Sequence, residues 1–252
     1  MRAIILGSGS KGNSTLLIGN DKKILIDVGF SFPQMTRLLN NFNIEPALID
    51  VILITHTHKD HVIGLSSFVK KTRTPVYTNS VMFSELSKIV PEEYLVVNDD
   101  LFDIGEFSIE TFHTSHDAKG SVGFIIKDDL GSLVYVTDTG YINKVYLERL
   151  KNKNAYIFES NHDINMLMTG PYPYILKQRV VSDTGHLSNI QSGNYLKELI
   201  GTNTKRIVLA HLSETNNTHE LAISTVKDII NSDISLTAAY QDESLDLGDI
   251  HD

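Results

Sequence analysis

The chain has 252 residues, 41% of them hydrophobic and 21% charged, and its 31 acidic against 22 basic side chains give a formal net charge of -9 at pH 7. This is the composition of a globular protein with room for a large core, and its acidic balance argues against nucleic-acid binding by bulk electrostatics while leaving scope for a local basic groove. With no cysteine, disulfides, thiolate ligands and cysteine nucleophiles are excluded, and any metal site must be built from histidine and carboxylate.

The opening MRAIILGSGSKG lacks the basic and long hydrophobic regions of a signal peptide, and no apolar run approaches the length of a membrane span. A cytoplasmic protein without membrane contact is therefore expected. Ala3 to Leu6 reads as a strand, followed by the loop GSGSKGNS; Thr15 to Ile18 and Lys23 to Asp27 flank a Gly19-Asn20-Asp21 turn as a hairpin. Gly7, Gly9 and Gly12 satisfy G-x-G-x-x-G. The dinucleotide fingerprint needs a helix to start at the third glycine, and a strand follows instead, so that reading is set aside.

A helix is expected from Pro33 to about Asn41, capped by Ser31 and burying Met35, Leu38, Leu39 and Phe42. The run Val51 to Ile54 is too apolar to have a solvent face and reads as a strand in a covered sheet. It leads into His56-x-His58-x-Asp60-His61, with the helical pattern Val62, Leu65, Val69 beyond. Imidazoles two apart on a strand-end loop can face one metal, while an Asp and a His one turn later can face a second.

Pro75 to Tyr77 reads as a strand, Ser80 to Ile89 as a helix, and Phe107 to Phe112 as a strand running into His113-Thr-Ser-His116-Asp. His116, in the loop, is preferred to His113, at the strand's end, as a ligand. Val122 to Lys127 and Leu133 to Thr137 pair around the Asp128-to-Ser132 turn, and the second ends on Asp138. A helix from Lys144 to Leu150 precedes the strand AYIFE, which delivers Glu159, Asn161 and His162. Ser188 and Gln191 form a capping box for a helix reaching about Ile200. Arg206 to Ala210 is a strand ending on His211, Asn217 and Glu220 form a second box for a helix to Asn231, and Ile234 to Ala239 is the last strand. The tail, 241–252, is acidic and expected to fray. No repeat or linker is visible, so residues 1–252 read as a single domain. Basic clusters at Lys70, Lys71 and Arg73, at Lys144, Arg149, Lys151 and Lys153, and at Lys177 and Arg179 could track phosphates, though each is more simply a solvated face.

Asp27, His56, His116, Asp138, Glu159 and His211 each follow an apolar run, and side chains at strand ends converge on one rim of a sheet. A binuclear site needs about seven protein ligands with a bridging carboxylate. His56, His58 and His116 can hold one ion, Asp60, His61 and His211 the other, and Asp138 can bridge them with a water or hydroxide, unless it merely caps the turn before Gly140. Asp27 is expected to orient a ligand histidine from behind. His186 precedes a helix amino terminus suited to an anion, and a structural role is the alternative for it and for His162.

In that order, Asp27, His56-x-His58-x-Asp60-His61, His116, Asp138 and His211 resemble the motifs of the metallo-β-lactamase superfamily, spread over nearly the whole chain. GSGSKGNS, TSHDA, ESNHD and SDTGHLSN are similar to its YycJ/WalJ-type branch. The superfamily resemblance implies an α+β fold, a four-layer αββα sandwich with the site at one rim of the two sheets. The branch resemblance implies a metal-dependent nuclease acting on DNA from the 5′ end. Secreted β-lactamases of the superfamily carry a signal peptide and often a Cys ligand, flavodiiron proteins an acidic residue where His58 stands, and ribonucleases J and Z and glyoxalase II extra segments for which no room is seen.

The expected chemistry is phosphodiester hydrolysis at two divalent ions, zinc, manganese or iron, with a bridging hydroxide as nucleophile. Asp60 would orient that nucleophile or take its proton. His186 would bind the scissile phosphate or protonate the leaving oxygen with His162 behind it, and Ser10 and Asn13 would contact substrate. DNA is favoured over RNA as substrate. The alternatives are a small-molecule hydrolase acting on a thioester, lactone or small phosphodiester, and a non-catalytic scaffold, against which the cost of burying an unmetallated His/Asp cluster argues.

Overall fold

The computed structural model describes residues 1–251. Fourteen strands form two sheets of seven. The first sheet is built from β1 (Arg2–Gly7), β2 (Ser14–Ile18), β3 (Lys23–Ile26), β4 (Val51–Leu53), β5 (Val76–Thr78) and β6 (Leu95–Val97), joined by one strand from the far end of the chain. The second contains β7 (Leu101–Ile104), β8 (Phe107–His113), β9 (Val122–Lys127), β10 (Ser132–Val136), β11 (Ala155–Glu159), β12 (Arg206–Ala210) and β13 (Ser235–Ala238). The last strand, β14 (Leu245–Asp249), completes the first sheet in the order β14-β1-β2-β3-β4-β5-β6, and the second runs β13-β12-β11-β10-β9-β8-β7.

Both sheets have the same polarity pattern. Pairing is antiparallel from β14 through β3 and parallel from β3 to β6. It is likewise antiparallel from β7 through β10 and parallel from β10 to β13.

The continuous apolar runs follow from burial on both faces. On β10, β11 and β12, Leu133, Tyr135, Ile157 and Val208 enter a core shared with the first sheet. The alternate residues Val134, Tyr156, Phe158, Ile207 and Leu209 enter a second core with the outer helices. Helices α1 (Phe32–Asn40), α2 (Lys59–Val62), α3 (Leu65–Thr72) and α4 (Ser80–Leu86) follow strands of the first sheet, and α5 (Lys144–Leu150), α6 (Ile164–Thr169), α7 (Tyr174–Val180), α8 (Asn189–Leu199) and α9 (His219–Ile230) follow strands of the second. Met35, Phe68 and Met82 cover the first sheet, and Leu147, Leu196 and Val226 the second. The result is the αββα sandwich expected from the sequence. Among the described residues no helix is long and apolar enough to cross a membrane.

The tail does not fray: β14 pairs antiparallel with β1, and Leu247 and Ile250 are buried in the shared core. Asp252 lies outside the described residues. The cap of α9 is Thr218, whose hydroxyl accepts from the Leu221 amide at 3.2 Å. Asn217 is buried instead, and its amide donates to the carbonyls of Ser160 and Asn161, so no capping box forms there. The helical pattern after the His motif breaks into α2 and α3 at Gly64, where a Cβ would meet the Phe30 carbonyl oxygen at 1.9 Å. Helices α6 and α7 were not anticipated, because Gly170, Pro171 and Pro173 interrupt the pattern between them.

Candidate metal centre

The carboxyl ends of the parallel strands meet at one rim, the usual place for a site in sheets of this kind. Three residues just past strand ends, Asp27, Asp138 and His211, have left-handed backbones with φ of 62°, 56° and 56°. Residues other than glycine rarely adopt this conformation, Asp, Asn and His being the most tolerant. It turns the chain sharply at the end of β3, β10 and β12, where all three side chains are buried.

Two triads have ligand atoms within 4.8 Å of one another, His56 with His58 and His116, and Asp60 with His61 and His211. Asp138 lies between them. Its Oδ2 is 3.2 Å from His61 Nε2, and its Oδ1 is 3.7 Å from His116 Nε2 and 3.5 Å from His211 Nδ1. The seven expected ligands are thus brought together. Asp27 also stands where expected, accepting from His61 Nδ1 at 2.7 Å while the Thr55 amide and hydroxyl donate to it.

Each histidine of the two triads has a partner on one ring nitrogen. His56 Nδ1 is 3.1 Å from Thr55 Oγ1, His116 Nδ1 is 3.3 Å from the Gly185 carbonyl, and His211 Nδ1 is 3.0 Å from Glu159 Oε1. The outward nitrogen of His58, Nε2, lies 3.3 Å from Asp117 Oδ1. Fixing one nitrogen as donor leaves the other with a lone pair for a metal. The inward His56 Nε2 and His211 Nε2 are buried without a hydrogen bond, and Asp138 Oδ2 has only its ion-pair contact with His61. Such orphaned acceptors are costly unless something binds them, and an all-N/O set of this kind suits a divalent first-row ion. Another grouping, Asp138, Glu159, His186 and His211, fits a metal less well, because His186 Nδ1 and His211 Nδ1 both face Glu159 Oε1.

The electrostatics match. Burial pushes the His56 pKa well below the ordinary value, so its ring is neutral. Burial would raise Asp60, but His211 and His61 hold it far below the usual carboxylate range. Burial likewise opposes ionisation of Glu159, yet His186 and His211 bring it down to about 2. His211 rises to about 10 against its burial, because Asp138, Asp60 and Glu159 surround it.

The cluster opens into a cleft of about 260 Å³ whose walls include Ser10, Asp60, Asp138 and His186. One sequence expectation fails here, the contact of Asn13 with substrate. Asn13 is 1% exposed and does not line the cleft; its amide nitrogen is 3.2 Å from Asp60 Oδ2 and 3.1 Å from His61 Nε2, so it supports the cluster from behind, out of reach of substrate. His162 is 1% exposed and is not part of the cleft wall. His113 ends β8 with its side chain exposed, leaving His116 in the cluster. Glu159 received no role from the sequence, yet it accepts from the Thr139 and Leu187 amides and faces both His186 and His211. Its signal was present, since it closes the apolar run AYIFE as the ligands close theirs. Asp117, joined at 2.7 Å beside the cleft to Arg179 of the Lys177/Arg179 cluster, carried no such signal.

The β-lactamase superfamily domain model matches residues 22–212. The exodeoxyribonuclease WalJ of Streptococcus pneumoniae serotype 2 is 37% identical over 248 residues, 94% of this chain and 91% of that protein. The exodeoxyribonuclease YycJ of Bacillus anthracis is 33% identical over 231 residues, 90% and 88% of the two chains. Among solved structures, the metallo-β-lactamase fold protein YhfI from Bacillus subtilis superposes with a TM-score of 0.76 at 17% identity, covering 97% of this chain and 99% of that one. Zn(2+)-bound PqqB from Methylobacterium extorquens gives 0.73 at 16% identity, covering 98% and 100%. At those identities the likeness shows the fold.

Proposed function

This chain belongs to the β-lactamase superfamily, in the branch of the WalJ and YycJ exodeoxyribonucleases, and from that premise we propose that it is a cytoplasmic metal-dependent exonuclease that degrades DNA from the 5′ end. The observation that carries the chemistry is the pair of triads, each partly buried, with Asp138 between them and the unpartnered His56 Nε2 and His211 Nε2 turned inward. In this reading His56, His58 and His116 hold one divalent ion, Asp60, His61 and His211 a second, and Asp138 serves both. Zinc, manganese and iron all suit such donors. When bound, the ions supply Lewis acidity toward the phosphoryl group and activation of water near neutral pH.

The chain's own residues do the rest. Asp60 is partly exposed on the cleft wall and steadied by Asn13, where its carboxylate, kept ionised by His61 and His211, can orient the attacking water. His186 also lies on the wall, with Nδ1 2.8 Å from Glu159 Oε1. That contact leaves Nε2 for the substrate, to meet a phosphoryl oxygen or to protonate the leaving oxygen. Ser10, exposed at the cleft, is placed to contact the strand. The buried His162 is assigned no catalytic part.

The test is degradation of 5′-labelled and 3′-labelled single-stranded and duplex DNA, and of matching RNA, by protein loaded with Mn²⁺ or Zn²⁺, beside His58→Ala and Asp138→Ala. DNA should be lost from the 5′ end, and both variants should fall by more than the roughly 10–100-fold that loss of an outer-sphere partner costs. Failure of the fully metallated protein to cleave any nucleic acid would overturn the reading and turn attention to small esters and thioesters.

A further inference from the structure

One wall of the metal cleft comes from a segment without acidic side chains. From Ile164 to Ser182 the sequence INMLMTGPYPYILKQRVVS contains no carboxylate, in a chain with 31 of them, and it carries Lys177 and Arg179. Tyr172, Leu176, Arg179 and Val180 line the metal cleft. On the outer side of α7, Tyr174 is 74% and Ile175 83% exposed, with Met168 nearby in sequence at 45%. Large apolar side chains clustered beside a binding cleft mark a contact surface.

The segment is fastened to the centre. Lys177 Nζ donates to the Met168 carbonyl at 2.7 Å, tying α7 to α6. Val180 is buried, and its carbonyl accepts from the His186 amide at 2.9 Å. The neighbouring Gly185 carbonyl lies 3.3 Å from His116 Nδ1. A group resting on α7 is therefore held in register with the metal ligands. Two carboxylates that would repel a polyanion here are already paired: Asp117 Oδ2 with Arg179 at 2.6 Å and Glu214 with Lys11 at 2.7 Å.

We infer that the Tyr172-to-Val180 wall is a platform for an unpaired DNA end, with a base lying on Tyr174 and Ile175 and the backbone passing Arg179 into the cleft. The inference rests on the phosphodiesterase reading and specifies which form of DNA that site takes. An exposed aromatic ring engages the π-face of a base, and in a duplex those faces are already stacked on neighbouring bases. An ordinary duplex end offers one such face at most, whereas an unpaired strand offers one per nucleotide. The absence of acidic side chains from the segment suits the phosphates between them, and Arg179 on the cleft wall neutralises the neighbouring Asp117 through its Nε and Nη2.

The experiment compares wild type with Tyr174→Ala/Ile175→Ser, both metal-loaded, on a 5′-labelled single strand and on the same strand made abasic over its first nucleotides. On the base-bearing strand the double variant should raise KM by about tenfold, the loss expected when base–aromatic stacking is removed. On the abasic strand the wild type should already show the raised KM, and the substitutions should add nothing further. Tyr174→Trp, which keeps a flat ring, should retain the low KM. Equal KM for wild type and the double variant on the base-bearing strand would overturn the inference and assign the patch to a protein partner. If the wild type degraded no DNA at all, the nuclease reading would have failed and the platform with it, a result distinct from normal degradation by both proteins.

Discussion

Among the residues, the most informative contacts lie one step behind the proposed metal ligands. Asp27, Thr55, Glu159 and the Gly185 carbonyl each approach the Nδ1 of a ligand histidine, so the tautomers are set by the protein before any ion arrives. Glu159 is the most heavily used, and Glu159→Gln preserves its shape while removing its charge. Metal affinity or kcat/KM should drop roughly 10–100-fold with the far-ultraviolet spectrum unchanged. An unaffected enzyme would show that His186 and His211 are held by packing alone.

His162 gives a separate, pH-dependent signature. Burial lowers its pKa to about 4, below the ordinary value near 6.5. The unfolded chain therefore binds a proton between those values that the folded chain does not, and stability must fall as pH drops through that window. The loss is about 3 kcal/mol when complete. The stability difference between wild type and His162→Gln, followed by urea unfolding from pH 4 to 8, should shrink by about that amount toward acid pH. A difference independent of pH would mean that His162 titrates normally.

At the scale of elements, strand ends deliver the site and sharp turns aim it. The left-handed Asp27, Asp138 and His211 are the junctions where β3, β10 and β12 stop. An apolar run followed by Asp or His is visible in sequence, whereas the turn in the backbone is not. The carboxy-terminal strand makes the opposite point. Its sequence LDLGD reads as acidic tail, yet Leu247 is 4% exposed and Ile250 just beyond is fully buried. Arg2 Nε donates to Asp246 Oδ1 at 3.0 Å, and Arg206 donates to the Leu247 carbonyl. Burying two such aliphatic side chains contributes about 3–6 kcal/mol. Deleting residues 245–252 should lower unfolding free energy by an amount of that order, measured by denaturant unfolding in chelator so that metal does not mask it. Coincident transitions for the full and truncated chains would show that β14 adds nothing.

For the molecule as a whole, the two sheets share one order of antiparallel and parallel pairs although no repeat is visible in the sequence. Backbone polarity needs only apolar alternation and turn chemistry, which many unrelated sequences satisfy, so a structural repeat can exist without a sequence one. The sequence by itself determined the strand-end positions of the histidines and carboxylates, the spacing within His56-x-His58-x-Asp60-His61 and the covered character of the central strands, because these are local patterns along one segment. Tertiary structure alone decided that Asn13 lies under the cluster, that Glu159 serves His186 and His211 at once, that Asp117 meets both His58 and Arg179, and that the last strand pairs with the first. The physical reason is distance along the chain: such contacts join residues separated by 47, 27, 52, 62 and even 244 positions. No local propensity encodes which of many buried polar groups will meet once the sheets close on each other.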